Sequence, residues 1–172
     1  TQNPIEMEGT YPLPEAQLDR FMFKIDVKPP SLTELVEILD RTTGSSTPAA
    51  ERVADGVQVR RLQAMVRAVP ISDQVKHYVA RVVLASSPES EPASPLAKKY
   101  VRYGSSPRGA QAMVMAGKVY ALSRGRLSVG FEEVRRAAAA ALRHRIIVNF
   151  EAEAEGVRQD RIVEDILAHV KE

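Results

Sequence analysis

One short segment of the chain limits its fold more than any other. From Phe21 to Lys28, apolar and polar side chains alternate strictly, which is typical of a half-buried β-strand. Pro29 and Pro30 end this pattern, and no comparable strand follows. A single strand leaves its backbone donors and acceptors unpaired. The pattern therefore predicts the last strand of a larger sheet whose other strands lie outside these 172 residues.

The sequence that follows the two prolines has the periodicity of amphipathic helices. Ser31 and Glu34 have the spacing of a capping box at the start of the first one. Ser72 is predicted to cap a third helix, and Ser106 with Pro107 to begin a later one. The apolar positions that these helices are expected to bury are Leu32, Leu35, Val36, Leu39, Val59, Leu62, Met65, Val66, Val75, Tyr78, Val79, Val82, Met113, Ala116, Val119, Tyr120, Ile162, Val163, Ile166, Leu167 and Val170.

Three polar segments and one alanine-rich segment complete the predicted organisation. Residues 43–56 and the Ser/Pro-rich residues 86–95 are predicted to be loops, the second of them exposed to solvent. Residues 131–145 are predicted to form a helix whose alanines allow close backbone approach. The acidic residues 151–155 are expected to form a solvated face.

Composition excludes several classes of protein. No apolar run is long enough to cross a membrane, and no signal-peptide pattern is present, so membrane insertion is not expected. The chain has no cysteine, which excludes disulfides and cysteine-ligated zinc, and a cytoplasmic location is expected. His77, His144 and His169 have no histidine partner at helical spacing, so no metal site is expected.

Four motifs, in order along the chain, resemble those of one protein family. The sequence TQNPIEMEGTYPLPEAQLDRF at the start is similar to the sensor 1 and arginine-finger segment of the MoxR family of AAA+ ATPases. GSSPRGAQAM, GRLSVGFEEV and LRHRIIVNFEAEAEG resemble the lid of the same family. The resemblance implies a mainly α fold, in which residues 1–28 are the end of an α/β P-loop core with one strand and one short helix. Residues 29–172 would form a helical lid domain of five or six helices.

The resemblance also implies roles for three residues. Asn3 would be sensor 1, at the end of a core strand, where its amide can contact the γ-phosphate and the attacking water. Arg20, after a short helix that begins near Pro14, would be the arginine finger that acts on the ATP of the neighbouring subunit. Arg108, in the first turn of the helix capped by Ser106, would be sensor 2 and contact the γ-phosphate of its own subunit.

Two residues depart from the family pattern, and one segment has no assigned role. Gly109 stands where the family usually has alanine, which is expected to loosen the turn that carries Arg108, and Gly130 stands where proline is common. Residues 8–11, EGTY, fit a pore-side or subunit-contact loop as well as they fit an ordinary turn.

Two motifs that an AAA+ ATPase needs are missing from the printed residues. The chain contains no G-x-x-x-x-G-K-[ST] phosphate loop and no acidic Mg²⁺-binding motif on a strand. We therefore expect ATP and Mg²⁺ to be cofactors of a full-length parent protein, and the chain itself to be a carboxy-terminal part that neither hydrolyses nor tightly binds ATP.

Membership in this family implies a ring, expected to be a hexamer, that uses ATP hydrolysis to remodel or mature client proteins. Proteins with von Willebrand factor A domains are frequent partners of the family. Two alternatives remain open at this point. The chain could be a stand-alone helical interaction module, or a nucleic-acid-binding domain that uses Arg135, Arg136, Arg143 and Arg145. The second is disfavoured because aromatic residues are not interleaved with these arginines as base stacking requires.

Overall fold

The computed structural model describes residues 13–45 and 49–172. The chain separates into two compact units. One contains the described residues up to Lys24 together with Val66–Glu172, and the other is Ile25–Met65. Asn3 and the EGTY segment at 8–11 lie outside the described residues.

The described part of the chain is mainly α-helical, with one small antiparallel sheet of two strands. In chain order the elements are α1 (Glu15–Leu18), α2 (Leu32–Thr43), α3 (Gly56–Ala68), α4 (Asp73–Ala85), α5 (Pro95–Tyr100), β1 (Val101–Tyr103), α6 (Pro107–Ser123), α7 (Phe131–Leu142), β2 (Ile147–Val148), α8 (Phe150–Ala154) and α9 (Gln159–His169). This content confirms the predicted mainly α fold, including the short helix after Pro14.

The first unit has a continuous hydrophobic core formed by α4, α6, α7 and α9. Buried alanines of α7, such as Ala138 and Ala141, lie at helical spacing and allow α6 to approach closely. Tyr78, Met113 and Leu142 are among the largest fully buried side chains and fill the space between the helices. The core positions predicted for α4 are all buried, as are Met113 and Ala116 of α6, whereas Val119 is 46% exposed.

Polar side chains fix the starts of the helices as predicted. Ser31 accepts a hydrogen bond from the backbone N–H of Glu34, whose carboxylate in turn accepts from the N–H of Ser31, which confirms the capping box. Ser72 and Ser106 cap α4 and α6. These side chains satisfy backbone donors that have no partner within the helix.

No strand is assigned to residues 21–28 among the described residues, and the sheet partners predicted for this segment lie outside the 172 residues. These residues form a bend followed by extended backbone that pairs with no strand of the described chain. The N–H of Lys24 instead donates to the carbonyl of Ala140 at 2.9 Å. Ile25 and Val27 are 75% and 90% exposed, so the apolar face of the pattern is not covered. Alternation specifies which side chains share a face, but a ladder requires a neighbouring strand.

The second unit corrects a further prediction. Both α2 and α3 form, but neither contains a buried residue. The apolar stripe of α2, which includes Leu32 and Leu39, and that of α3, which includes Leu62 and Met65, are therefore exposed rather than buried. Helical periodicity predicts which positions lie on one face, and it cannot predict whether another element covers that face.

The segment around residues 86–103 also differs from the prediction. Ser86 and Ser94 are fully buried, although residues 86–95 were expected to be an exposed loop. The Ser86 hydroxyl accepts from the N–H of Ser105 at 2.9 Å and donates to the carbonyl of Val83 at 2.6 Å. Strand β1 pairs with β2, with Val101 opposite Val148. The sequence has no periodic pattern that predicts these two strands or the short helices α5 and α8. Elements this short contain too few residues for a period to be recognised.

Within residues 13–45 and 49–172, no helix combines the length and the apolar character that crossing a membrane requires. The same described residues contain no group of three or more histidine, aspartate or glutamate side chains that could hold a metal ion.

Candidate functional site

The turn that follows α1 lies against the start of α6 and the segment after α7. Asp19 is the C-cap residue of α1 and directly precedes Arg20 in this turn. Its carboxylate is the centre of a polar cluster in the first unit. Three donors surround it. They come from Ser106 and Arg108 at the start of α6 and from Arg145 after α7.

The carboxylate of Asp19 uses both of its oxygens. Oδ1 accepts from the Ser106 hydroxyl at 2.6 Å and from Nε of Arg145 at 3.2 Å. Oδ2 accepts from Nη1 of Arg108 at 2.7 Å. Such charge-assisted hydrogen bonds are short and stronger than neutral ones. The Asp19 side chain is only 19% exposed, so water screens these contacts less than it screens a surface pair.

Arg145 fixes the backbone on both sides of Arg20. Its side chain is 2% exposed, and Nη2 donates to the carbonyls of Asp19 at 2.9 Å and Phe21 at 2.7 Å. Nη1 donates to the carbonyls of Met22 and Ala141. The planar guanidinium presents its donors in a fixed geometry, which allows one buried side chain to hold several carbonyls at once.

Arg20 is not part of this network. Its side chain is exposed, and within the described residues it makes no hydrogen bond or ion pair. An arginine at the end of a short helix could instead form a surface ion pair with a nearby carboxylate such as Asp19 or Glu15, and neither pair is present among the described residues. Asp19 is occupied by Arg108 and Arg145 instead.

Arg108 lies in the first turn of α6, where the positive end of the helix dipole disfavours a cation. The nearby Asp19 carboxylate offsets this cost, because it pairs with the Arg108 guanidinium and also approaches the helix start through Ser106. The Arg108 side chain remains 52% exposed. A second anion can therefore reach it from solvent.

Gly109 allows the first turn of α6 to pack closely. A Cβ atom at this position would lie 2.1 Å from Oγ of Ser105 and 2.8 Å from Cδ2 of Leu142. The glycine was expected to loosen the turn that carries Arg108. The structure gives it a packing role, because the missing side chain lets the turn lie against two other segments.

The charges in the cluster do not cancel. Two guanidinium groups, those of Arg108 and Arg145, face one carboxylate, and Arg20 adds a further positive charge beside them. Burial alone raises the pKa of Asp19, but the hydrogen bonds from Ser106 and Arg108 and the charge of Arg145 outweigh it and lower the pKa below its usual value. Asp19 is therefore ionised at neutral pH, and the cluster retains a net positive charge that attracts anions.

His144 packs against the same turn. Its Nε2 atom is 2.9 Å from the carbonyl oxygen of Phe21, and its buried Nδ1 atom has no hydrogen-bond partner within the described chain. Burial lowers the pKa of His144, and the charges of Arg145 and Lys24 lower it further. The lowered pKa favours the neutral imidazole at pH 7, and Nε2 also lies 2.9 Å from Nη1 of Arg145.

The nucleic-acid hypothesis relied on arginines that are engaged elsewhere. Arg145 is buried and cannot contact a phosphate backbone. Arg143 pairs with Asp160 at 2.9 Å, and Arg135 donates to the Tyr78 hydroxyl at the same distance. These contacts give three of the four arginines structural partners within the protein.

Sequence reasoning identified Arg20 and Arg108 but not the residues that hold them. The sequence assigns no role to Asp19, and it assigns Arg145 only to the nucleic-acid alternative. One signal was available, because Arg145 lies in the same motif as His144 and follows a helix end. Its burial, however, depends on α1 and α6, which are distant in sequence.

Comparison with known proteins agrees with the fold and with the order of the motifs. The AAA lid domain family matches residues 93–166, and the ATPase family associated with various cellular activities (AAA) matches residues 1–23. The chain is 36% identical over 170 residues to "Chaperone MoxR1" of Mycobacterium tuberculosis. This match covers 99% of the chain and 45% of that protein. The chain is 37% identical over 172 residues to "Uncharacterized protein YeaC" of Bacillus subtilis, and covers 51% of it.

A solved structure has the same fold. It is a candidate ATPase from Cytophaga hutchinsonii, which superposes with a TM-score of 0.92 at 35% identity, over 99% of this chain and 52% of that one. These matches and the helical core define an AAA+ ATPase lid domain together with the segment that precedes it. Within that class, the chain is similar over 99% of its length to a MoxR chaperone, and it spans about half the length of the curated relatives it matches.

Proposed function

We propose that the chain is the nucleotide-sensing and trans-acting part of a ring-forming MoxR-type ATPase. The single observation that carries the proposal is the contrast between two neighbouring residues. Asp19 is fully engaged inside the first unit, whereas Arg20 is exposed and makes no ion pair within residues 13–45 and 49–172. An exposed cation on a turn that is fixed by hydrogen bonds is suited to act on a group outside its own subunit.

In this proposal, Arg20 reaches the ATP of the neighbouring subunit. Its guanidinium would stabilise the charge that develops on the transferring phosphoryl group. The buried Arg145 supports this role, because it holds the carbonyls on both sides of Arg20 and so limits the positions that the finger can adopt. Arg108 would contact the γ-phosphate of its own subunit as sensor 2, and Asn3 would act as sensor 1.

The remaining parts of the proposal concern the complete protein. Residues 1–28 would belong to the α/β core and residues 29–172 to the lid. ATP with Mg²⁺ would bind between them, and a hexameric ring would use hydrolysis to remodel or mature client proteins, with von Willebrand factor A domain proteins as partners. The "Chaperone MoxR1" relative supports the chaperone-like activity, and the family of the lid supports self-assembly.

The test of the trans-acting role uses two inactive full-length proteins, one with Arg20→Ala and one with its phosphate-loop lysine replaced. In mixed rings some interfaces combine an intact phosphate loop with an intact Arg20, so ATPase activity should partly return. Arginine fingers of this kind contribute about 10³–10⁵-fold in rate, so the recovered activity would be well above background. Arg20→Lys should restore little, because an ammonium group does not reproduce the planar fork. If mixed rings form and activity stays absent, Arg20 does not act in trans.

A further inference from the structure

The contacts of Asp19 suggest a role that neither sensor nor finger explains. Arg108 is the residue proposed to contact the terminal phosphate, yet its guanidinium donates a hydrogen bond to a carboxylate of the same subunit. Carboxylate and phosphate oxygens are recognised by the same face of a guanidinium group. The two anions therefore compete for Arg108.

We propose that Asp19 is a positioning residue that holds Arg108 until a phosphate displaces it. This inference rests on the proposed role of Arg108 as the phosphate-contacting arginine. The carboxylate occupies the site that a phosphate would take, so binding of nucleotide exchanges one anion for another at the same guanidinium. No covalent bond changes in this exchange.

The geometry makes the exchange possible without disturbing the fold. Arg108 is 52% exposed, and the structure records a single contact from its side chain to Asp19. After Arg108 leaves, Asp19 keeps the hydroxyl of Ser106 and the Nε atom of Arg145 as donors. The carboxylate is thus never buried without a partner, which would be costly. Ser106 also keeps the helix start in place through the N–H of Arg108.

Asp19 also sets the affinity for phosphate. A protein whose binding-competent state is only partly populated has its affinity reduced by that fraction. For a half-exposed ion pair, the reduction is about fivefold at most. Removing the Asp19 charge should therefore raise the affinity for a phosphate that contacts Arg108 by about this factor.

The experiment measures the affinity of the 172-residue chain for inorganic tripolyphosphate by isothermal titration calorimetry, and NMR follows the side-chain resonance of Arg108 in the variants that keep this residue. That resonance is assigned by its loss in Arg108→Ala. Asp19→Asn keeps an oxygen that can accept from Ser106 and Arg145 but removes the charge, and it should bind tripolyphosphate more tightly than wild type, by up to about fivefold. Glu15→Gln removes the same charge from exposed α1 and is the matched control, which should change the affinity much less. The gain should disappear in the double variant Asp19→Asn/Arg108→Ala.

A second measurement needs no substitution and covers the case in which Asp19→Asn does not fold. In wild type, saturating tripolyphosphate should move the carboxylate carbon resonance of Asp19 and raise its pKa, because the Arg108 guanidinium has left it. The Asp73 carboxylate, which pairs with Lys76 on α4, should not respond.

The outcomes separate this inference from the proposed function. If Arg108→Ala weakens binding but neither Asp19→Asn nor the Asp19 resonance responds, the exchange is overturned and the sensor role of Arg108 stands. Equal gains in Asp19→Asn and Glu15→Gln would mean that only overall charge matters, which also overturns it. If no binding depends on Arg108 in any variant, both the exchange and the sensor role are overturned.

Discussion

Replacement of the buried Arg145 should destabilise the first unit more than any other single charge change in the cluster. Arg145→Met keeps the aliphatic stem but removes the ion pair with Asp19 and the donors to the Asp19, Phe21 and Met22 carbonyls. Breaking a buried pair from one side costs about 3–5 kcal/mol. Because Asp19 keeps Ser106 and Arg108 as donors, the lower end applies, and we expect a loss of about 3 kcal/mol in the free energy of unfolding.

The assay is urea-induced unfolding followed by circular dichroism at neutral pH. Arg145→Lys should be intermediate, since an ammonium group keeps the charge but cannot reach all of the carbonyls. Arg20→Ala is the matched control from the same turn, and it should change stability by no more than about 0.5 kcal/mol because its side chain is exposed. A loss of less than about 1 kcal/mol for Arg145→Met would refute the claim that this network holds the turn.

Three further predictions concern pH, backbone packing and the exposed cation. The pKa of His144 is lowered in the folded chain, so the unfolded state binds more protons, and stability should fall as pH drops below the ordinary histidine pKa of 6.5. His144→Gln should remove this dependence in pH-dependent urea unfolding. Gly104→Ala should cost about 1–3 kcal/mol in the same assay, because the added Cβ would lie 2.7 Å from backbone atoms of Ser86. Arg108→Ala should leave the thermal melting midpoint nearly unchanged while impairing hydrolysis in the full-length protein, since the side chain is half exposed.

Each of these has its own control. His169 is exposed near the end of α9, so His169→Gln should leave the pH dependence of stability intact. If this variant loses the pH dependence, the effect does not come from His144. A Cβ atom at Gly56 would meet only Nη1 of Arg60, at an ordinary contact distance of 3.7 Å, so Gly56→Ala should cost little, and an equal cost at both glycines would contradict the packing argument. A large drop in melting midpoint for Arg108→Ala would make this residue structural and would remove the sensor assignment.

The sequence was sufficient where a single segment carries the signal. Capping at Ser31, Ser72 and Ser106 depends on residues only two or three positions apart, and the structure confirms all three caps. The prediction failed where a neighbour decides the outcome. The alternation at 21–28 has no strand to pair with in the described chain, and the stripes of α2 and α3 have no covering element within their own unit.

The candidate site divides in the same way. Arg20 and Arg108 were found because each lies in a recognisable motif. Asp19 and Arg145 are separated by 126 positions, and their ion pair exists only because the turn after α1 meets the segment after α7. No local pattern distinguishes a buried arginine from an exposed one, so the residue that holds the turn containing Arg20 could not be predicted.

The sharing of one carboxylate among three donors restricts how this protein can evolve. Residues in one hydrogen-bond network do not contribute independently, so substitutions at Asp19, Ser106, Arg108 and Arg145 should be epistatic. Loss of Asp19 leaves Arg145 as an unpaired buried cation, whereas loss of both together removes the charge and its partner. An evolutionary path away from this arrangement would therefore have to change positions 19 and 145 nearly together. Drift at the exposed Arg20 carries no such structural penalty, so only its function would preserve it.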